Sequence, residues 1–319
     1  MIEVLIHSPF ARQSSQGNSV TADRLERMLM DGGLRVEMEE ESYGGVDAEC
    51  LIALNARRSA EAVADFDRAC PGKKVIVLLT GTDINHEEME DPKSPTRRTM
   101  DRADALVVLH DAEHQSVPDG LCEKCRVIFP SVTLPDSVQH QTQGDDFTIV
   151  MAGNMRVEKN PELAVAASLK LPENLTMHLY GNDFEAALGR IINHGMVSHQ
   201  EMLAAMAQAH LLLNTSIQEG GANAICEAIS MGLPVVASAI PGNIGMLGVG
   251  YAGLFPSNNL TELVTLLTGV ASDPELYAEL KKQVAARAPL FTYATEARAW
   301  VDLVRSQLPR PFPPSPCDG

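Results

Sequence analysis

The stretch Glu219-Gly-Gly-Ala-Asn-Ala-Ile-Cys-Glu227, running on through Ala-Ile-Ser-Met-Gly232-Leu-Pro234-Val-Val, decides how this chain of 319 residues is read. The apolar segment His210–Thr215 before it is a predicted strand. Glu219 then falls in a glycine-containing loop, and Glu227 about one turn inside the helix that follows. A strand, a Gly-Gly turn and a helix N-terminus expose backbone N–H groups and the positive end of a helix dipole, which suits a phosphate. A carboxylate inside that helix cannot serve an anion. It bonds to hydroxyls, and a ribose or sugar beside a phosphate supplies them. The stretch points to a nucleotide-sugar site. Ordinary capping acids at a helix start are the alternative, which the flanking strand and the Gly-x-Pro-Val-Val segment disfavour.

The run resembles the E-x7-E signature of glycosyltransferases with the two-domain GT-B fold, and the likeness continues through Gly232-Leu-Pro-Val-Val-Ala-Ser. The resemblance implies an α/β protein of two Rossmann-like parallel-sheet domains facing across a cleft, with ligands at the carboxyl ends of the strands. The rest of the chain agrees, because short apolar runs alternate with helical patterns. Strands are expected near Glu3–His7, Arg35–Glu39, Cys50–Leu54, Lys74–Leu79, Ala105–Leu109 and Arg126–Phe129. Further strands are expected near Phe147–Ala152, Met177–Tyr180, His210–Thr215, Val235–Ser238 and Tyr251–Phe255. Asn18 or Ser19 is placed to cap the first helix, Leu25, Met28 and Leu29 face inward, and Gly32-Gly33 end it. The expected division is an N-terminal acceptor domain over residues 1–134, a turn-rich linker over 135–146 and a nucleotide-sugar domain over 147–290. A C-terminal helix over 291–308 would cross back to the first domain, and a proline-rich disordered tail covers 309–319.

Composition bounds the function. A formal charge of −17 argues against nucleic acid and against docking on anionic membrane, both of which need a basic face. No apolar run approaches the roughly 20 residues that span a bilayer. The chain enters a strand directly at Met1-Ile-Glu-Val-Leu-Ile, with no basic leader, so a cytoplasmic protein is expected. Its six cysteines lack the density of a disulfide scaffold. Cys122-Glu-Lys-Cys125 has no second pair, which leaves a structural zinc site two ligands short. The D-x-D at Asp65-Phe-Asp67 falls in a helical pattern over Ala60–Ala69, where a strand-end metal motif would not be. No metal and no cofactor are expected.

In the second half, Gly153-Asn-Met-Arg156-Val-Glu-Lys159-Asn-Pro161 follows a strand. It resembles the Gly-x(n)-Arg-x-x-Lys segment whose two cations hold the diphosphate in GT-B enzymes. Leaving UDP gathers charge with no metal to absorb it, so paired cations aimed there lower the barrier. Arg156 and Lys159 are the diphosphate candidates, Glu227 the ribose candidate, and Glu219 with the amides of Gly220, Gly221, Ala222 and Asn223 the sugar and phosphate candidates. Gly181-Asn182 and the turn carrying Val197 match base and ribose contacts more loosely, and His199 reads as a cap or surface residue.

The loops of the first half begin at Arg12 (running through Gly17, Asn18 and Thr21), at Ala53 (through Asn55, Arg57, Arg58 and Ser59) and at Leu79 (Thr80-Gly81-Thr82-Asp83). Each follows a predicted strand, so the three line one sheet edge, with Gly17 and Asn18 towards the nucleotide. Arg12, Arg57, Arg58 and Thr82 form either a pocket for an anionic second substrate or local salt bridges to acids such as Asp83. Asp83 and His110 stand at strand ends as candidate catalytic groups.

Here the chain resembles one family closely, the selenosugar synthases of selenoneine biosynthesis (SenB). The resemblance rests on Gly17-Asn-x-Val-Thr-Ala22, Ala56-Arg-Arg-Ser59, Leu79-Thr-Gly-Thr-Asp83 and Glu219-Gly-Gly-Ala-Asn223. It continues in Gly242-Asn-Ile-Gly245-Met-Leu-Gly248 and Tyr251-Ala-Gly-Leu-Phe255, and departs at Asn55, where the family carries histidine. It implies transfer of N-acetylglucosamine from UDP-N-acetylglucosamine to selenophosphate, forming a C–Se bond and releasing UDP, with later loss of the phosphate. An anionic selenium nucleophile needs grip and alignment rather than a strong base. Glu219, Arg156, Lys159 and Asp83 are then the groups nearest the chemistry, and Arg12, Arg57, Arg58 and Thr82 the selenophosphate ligands. An ordinary glycosyltransferase with a small hydroxyl acceptor, or a nucleotide-sugar sensor without turnover, are the other readings.

Overall fold

The computed structural model of the chain describes residues 2–9, 17–81, 83, 86–114, 117–135, 138–142, 146–154, 156–182 and 189–309. Two parallel six-stranded sheets account for the strands. The first is made of β1 (Ile2–Ser8), β2 (Val36–Glu40), β3 (Ala48–Leu54), β4 (Lys74–Leu78), β5 (Ala105–Val108) and β6 (Cys125–Val127), in the order β2-β1-β3-β4-β5-β6. The second holds β7 (Phe147–Ala152), β8 (Leu175–Tyr180), β9 (Ile191–Asn193), β10 (Leu211–Asn214), β11 (Val235–Ser238) and β12 (Leu254–Phe255), ordered β12-β11-β10-β7-β8-β9.

The central strands are unbroken apolar runs because helices cover both faces of a parallel sheet. In β3, Cys50, Leu51, Ile52, Ala53 and Leu54 are all buried, and in β10 Leu211, Leu212 and Leu213 are. The edge strand β2 instead reads Val-Glu-Met-Glu-Glu, with acids that discourage pairing by another chain.

The chain clusters into two compact units, one formed by residues 1–108, 117–128 and 297–319, the other by 109–116 and 129–296. Each has its own core. The division cuts the last helix, Tyr293–Gln307, at Ala297. Beyond that point Trp300, Val301 and Val304 are buried, and Arg305 Nη2 donates to Gly32 O at 2.8 Å within the first unit. Among the described residues of 135–146 there is no helix or strand, and the proposed tail from residue 310 lies outside the described residues.

Two expectations are corrected. The first helix is Gly17–Asp31, so Asn18 and Ser19 lie inside it rather than capping it, and Gly17–Thr21 is helical rather than a loop. Leu25, Met28 and Leu29 do face inward. Strand β9 was not anticipated, because three residues at a sheet edge carry too little pattern to stand out.

Candidate functional site

In the second unit, four loops are built at the carboxyl ends of β7, β8, β9 and β10. After β7 the backbone turns at Gly153 with φ 115°, and the segment Val157–Lys159 winds a single 3₁₀ turn. Asn160 takes a left-handed conformation (φ 48°) and Pro161 opens the helix Pro161–Ser168. Arg156 and Lys159 are thereby kept in the loop, with Arg156 exposed. Gly181, after β8, packs on this turn: a Cβ built there would lie 2.0 Å from Gly153 O.

Lys159 Nζ forms an ion pair with Glu219 Oε1, and both side chains are largely withdrawn from solvent (22% and 11% exposed). The same carboxylate oxygen accepts from Ser216 Oγ at 2.6 Å and from Asn214 Nδ2 at 3.4 Å. Asn214 is in turn fixed through its Oδ1, which accepts from Ser216 N at 3.0 Å and Asn243 Nδ2 at 3.2 Å. Thr215 Oγ1 donates to Lys159 O at 2.8 Å, tying the loop after β10 to the loop after β7. The first glutamate and the loop lysine therefore form one preorganised polar cluster.

Gly220, Gly221 and Ala222 lead into the helix Asn223–Met231, whose start has no side-chain cap, so its first-turn amides and dipole are available to an anion. Glu227 lies one turn in and is only 5% exposed. Its Oε1 bonds His199 Nε2 at 2.7 Å, whereas Oε2 is buried with no hydrogen-bond partner among the described residues. A buried carboxylate oxygen left unmatched is costly, and a hydroxyl donor satisfies it. His199 is a surface residue as read but not the cap: Ser198 caps its helix in a capping box with Glu201, and the Glu227 bond raises the His199 pKa. Val197 is half-buried in the turn before that helix.

In the first unit, Asn55 ends β3 at φ 70°, a conformation asparagine tolerates. Its Nδ2 donates to Thr80 Oγ1 at 2.9 Å and its Oδ1 accepts from Arg58 N at 3.0 Å. Asp83 is fully buried, accepting from Ala56 N at 2.7 Å and Thr80 N at 2.8 Å, and burial raises its pKa. The structure places Asp83 in the interior of its loops. It is no salt-bridge partner for Arg57, which pairs with Glu88 at 3.1 Å while 61% exposed. Both of its oxygens accept from backbone amides of the loops after β3 and β4 and so hold them together. Gly17 and Asn18 open the helix Gly17–Asp31, and Arg12 and Thr82 lie outside the described residues.

Two strand-end histidines share one property. His7 and His110 are each 1% exposed, and burial lowers both pKa values from 6.5 to about 4. His7 Nδ1 bonds Ser59 Oγ at 2.9 Å, and His110 packs so closely that a Cβ on Gly245 would lie 2.1 Å from its Nδ1. Because the unfolded chain binds these protons more readily, stability is lost as pH falls from 6.5 towards about 4, by roughly 3 kcal/mol per imidazole. Thermal melts across that window check the slope, and His7→Asn is expected to flatten part of it.

Asn214, Ser216, Asn243 and His199 were not anticipated in these positions. Only the spacing of Asn214 and Ser216 just ahead of Glu219 offered a signal. Among the described residues no group of three or more His, Cys, Asp and Glu is gathered to hold a metal ion, and no helix is long and apolar enough to cross a membrane.

With this geometry in hand, residues 146–273 match the family described as Glycosyl transferases group 1. The UDP-N-acetylglucosamine–peptide N-acetylglucosaminyltransferase GtfA subunit of Streptococcus pneumoniae is 29% identical over 178 residues, which are 50% of this chain and 35% of that protein. The chain spans about a third of the length of the curated relatives it matches (35% and 31%). Among solved structures, sucrose-phosphate synthase from Thermosynechococcus elongatus superposes with a TM-score of 0.78 at 15% identity, covering 96% of this chain and 99% of that one. Anabaena HepE in complex with UDP and glucose gives 0.73 at 14% identity, covering 96% and 100%. The chain has the GT-B fold of these glycosyltransferases.

Proposed function

We propose that the protein is a UDP-sugar-dependent glycosyltransferase whose donor site is built on the second unit. One observation carries this reading: Lys159, Glu219 and the buried, half-satisfied Glu227 surround the uncapped start of one helix. Arg156 and Lys159 hold the diphosphate, Gly153 lets the backbone approach it, and Glu227 takes the ribose hydroxyls. Glu219 and the Gly220–Asn223 amides hold the sugar and its phosphate, and Val197 meets the base. The similar structures support a UDP-sugar donor, since pneumococcal GtfA has been solved with UDP and GlcNAc and Anabaena HepE with UDP-glucose.

The acceptor is selenophosphate, and the product a selenosugar on the way to selenoneine. The motifs at Gly17–Ala22, Ala56–Ser59 and Leu79–Asp83 support this, as do the cations Arg12, Arg57 and Arg58 beside Thr82 in an otherwise acidic chain. The selenium lone pair attacks the anomeric carbon of UDP-N-acetylglucosamine, and the bond to the diphosphate oxygen breaks with its electrons leaving on UDP. Water then attacks phosphorus, releasing phosphate and leaving the selenol. Glu219, Arg156 and Lys159 act at the breaking bond, while Asp83 holds the acceptor loops. A second reading has one observation in its favour: Arg57 is already neutralised by Glu88, which suits a small hydroxyl acceptor.

Mass spectrometry of the protein with UDP-N-acetylglucosamine, with and without selenophosphate under anaerobic conditions, separates the two. A selenium isotope pattern on an N-acetylhexosamine mass, matched by UDP, is the expected result. UDP release indifferent to selenophosphate sinks the selenosugar reading, and no UDP release under any condition sinks the enzyme reading.

A further inference from the structure

His199 is the one side chain that grips the helix-borne glutamate of the donor site, and it comes from a different helix. It occupies the first position of His199–Gln208, and its Nε2 lies 2.7 Å from Glu227 Oε1. The neighbouring acid on its own helix is already engaged, because Glu201 Oε2 accepts from Ser198 N at 2.8 Å and from Ser198 Oγ at 2.7 Å. The imidazole is 61% exposed whereas the glutamate side chain is 7% exposed, so this contact contributes little apolar burial. What it does is select a rotamer. With Oε1 held, the second oxygen is the buried atom without a hydrogen-bond partner among the described residues.

We propose that His199 is a positioning residue for nucleotide recognition, holding Glu227 so that Oε2 is presented to the vicinal hydroxyls of a ribose. This rests on the assignment of Glu227 to the ribose and adds to it the group that makes the carboxylate selective. A ribose diol offers donors to a carboxylate, and a carboxylate pinned at one oxygen pays less rotamer entropy on binding than a mobile one. Nucleotides lacking those hydroxyls gain nothing from the arrangement.

The test is calorimetric titration of the full chain with UDP and with 2′,3′-dideoxy-UDP, for the wild type and three variants. His199→Leu removes the donor, His199→Gln keeps an N–H donor, and Glu227→Gln weakens the acceptor. Expected are a loss of UDP affinity of roughly tenfold in His199→Leu, no change for dideoxy-UDP, and substantial recovery in His199→Gln. Equal losses for both nucleotides in His199→Leu indicate a merely structural role and overturn the proposal. So does unchanged UDP binding in His199→Leu when Glu227→Gln binds UDP poorly. If the wild type binds UDP and dideoxy-UDP alike, or Glu227→Gln discriminates between them as well as the wild type does, the ribose assignment falls, and the positioning role with it.

Discussion

Alanine in place of Lys159 is expected to lower turnover of a UDP-sugar by about 10²- to 10³-fold, the loss typical of removing one preorganised donor from a developing negative charge. The ammonium does not have to be recruited. It is already held over the loop after β7 by Glu219, with Thr215 bonding the Lys159 carbonyl from the other side. On the proposed reading, entry of a diphosphate would exchange one anionic partner for another, and the charge released on Glu219 would turn to the sugar hydroxyls. Lys159→Ala removes the cation and leaves Glu219 with Ser216 and Asn214 alone. Steady-state kinetics with a UDP-sugar check this. A drop in kcat far below tenfold would show that the lysine is not at the leaving group. Lys159→Arg is expected to recover only part of the rate, since a planar guanidinium does not fit a pocket shaped around a point charge.

The second large effect is structural. Gly181→Ala places a methyl group 2.0 Å from the Gly153 carbonyl oxygen, well inside any tolerable contact. The obstacle is backbone and cannot rotate away, so the cost lies near the upper end of the overpacking range, about 3 kcal/mol. Relief requires the Gly153 turn to move, and Arg156 and Lys159 ride on that turn. Thermal unfolding should therefore show a Tm lowered by several degrees, together with weakened UDP binding. Gly120→Ala is the control: nothing lies within 4 Å of its added Cβ, and its Tm should hold. A Gly181→Ala protein with wild-type Tm and UDP affinity would mean that the two loops are not locked.

Much of this was legible before any coordinates. Continuous apolar runs such as Cys50–Leu54 mark strands buried on both faces, and the Glu219–Glu227 stretch leads from a strand into a helix as expected. The site's interior wiring was not legible. The His199–Glu227 bond spans 28 positions and the Asn243–Asn214 bond 29, and no local pattern reports either. The environment of Asp83 was hidden for a related reason. A carboxylate at a strand end suggests chemistry, and only the fold reveals that the Ala56 and Thr80 amides already occupy it. At the first helix, Asn18 and Ser19 have capping chemistry, yet the helix starts earlier, at Gly17.

The division of the last helix at Ala297 bears on how the protein comes into being. The first unit takes its opening strands from the start of the chain, yet Trp300, Val301 and Val304 complete its packing from near the other end. During synthesis the strands β1 to β6 precede the second unit, and the surface beside Gly32 that Val301 covers is expected to stay open until residue 301 is made. Domains that emerge whole fold as they appear. Here the packing residues Trp300, Val301 and Val304 follow residues 129–296 in the chain, so the first unit is expected to complete its packing only after the second unit has been made.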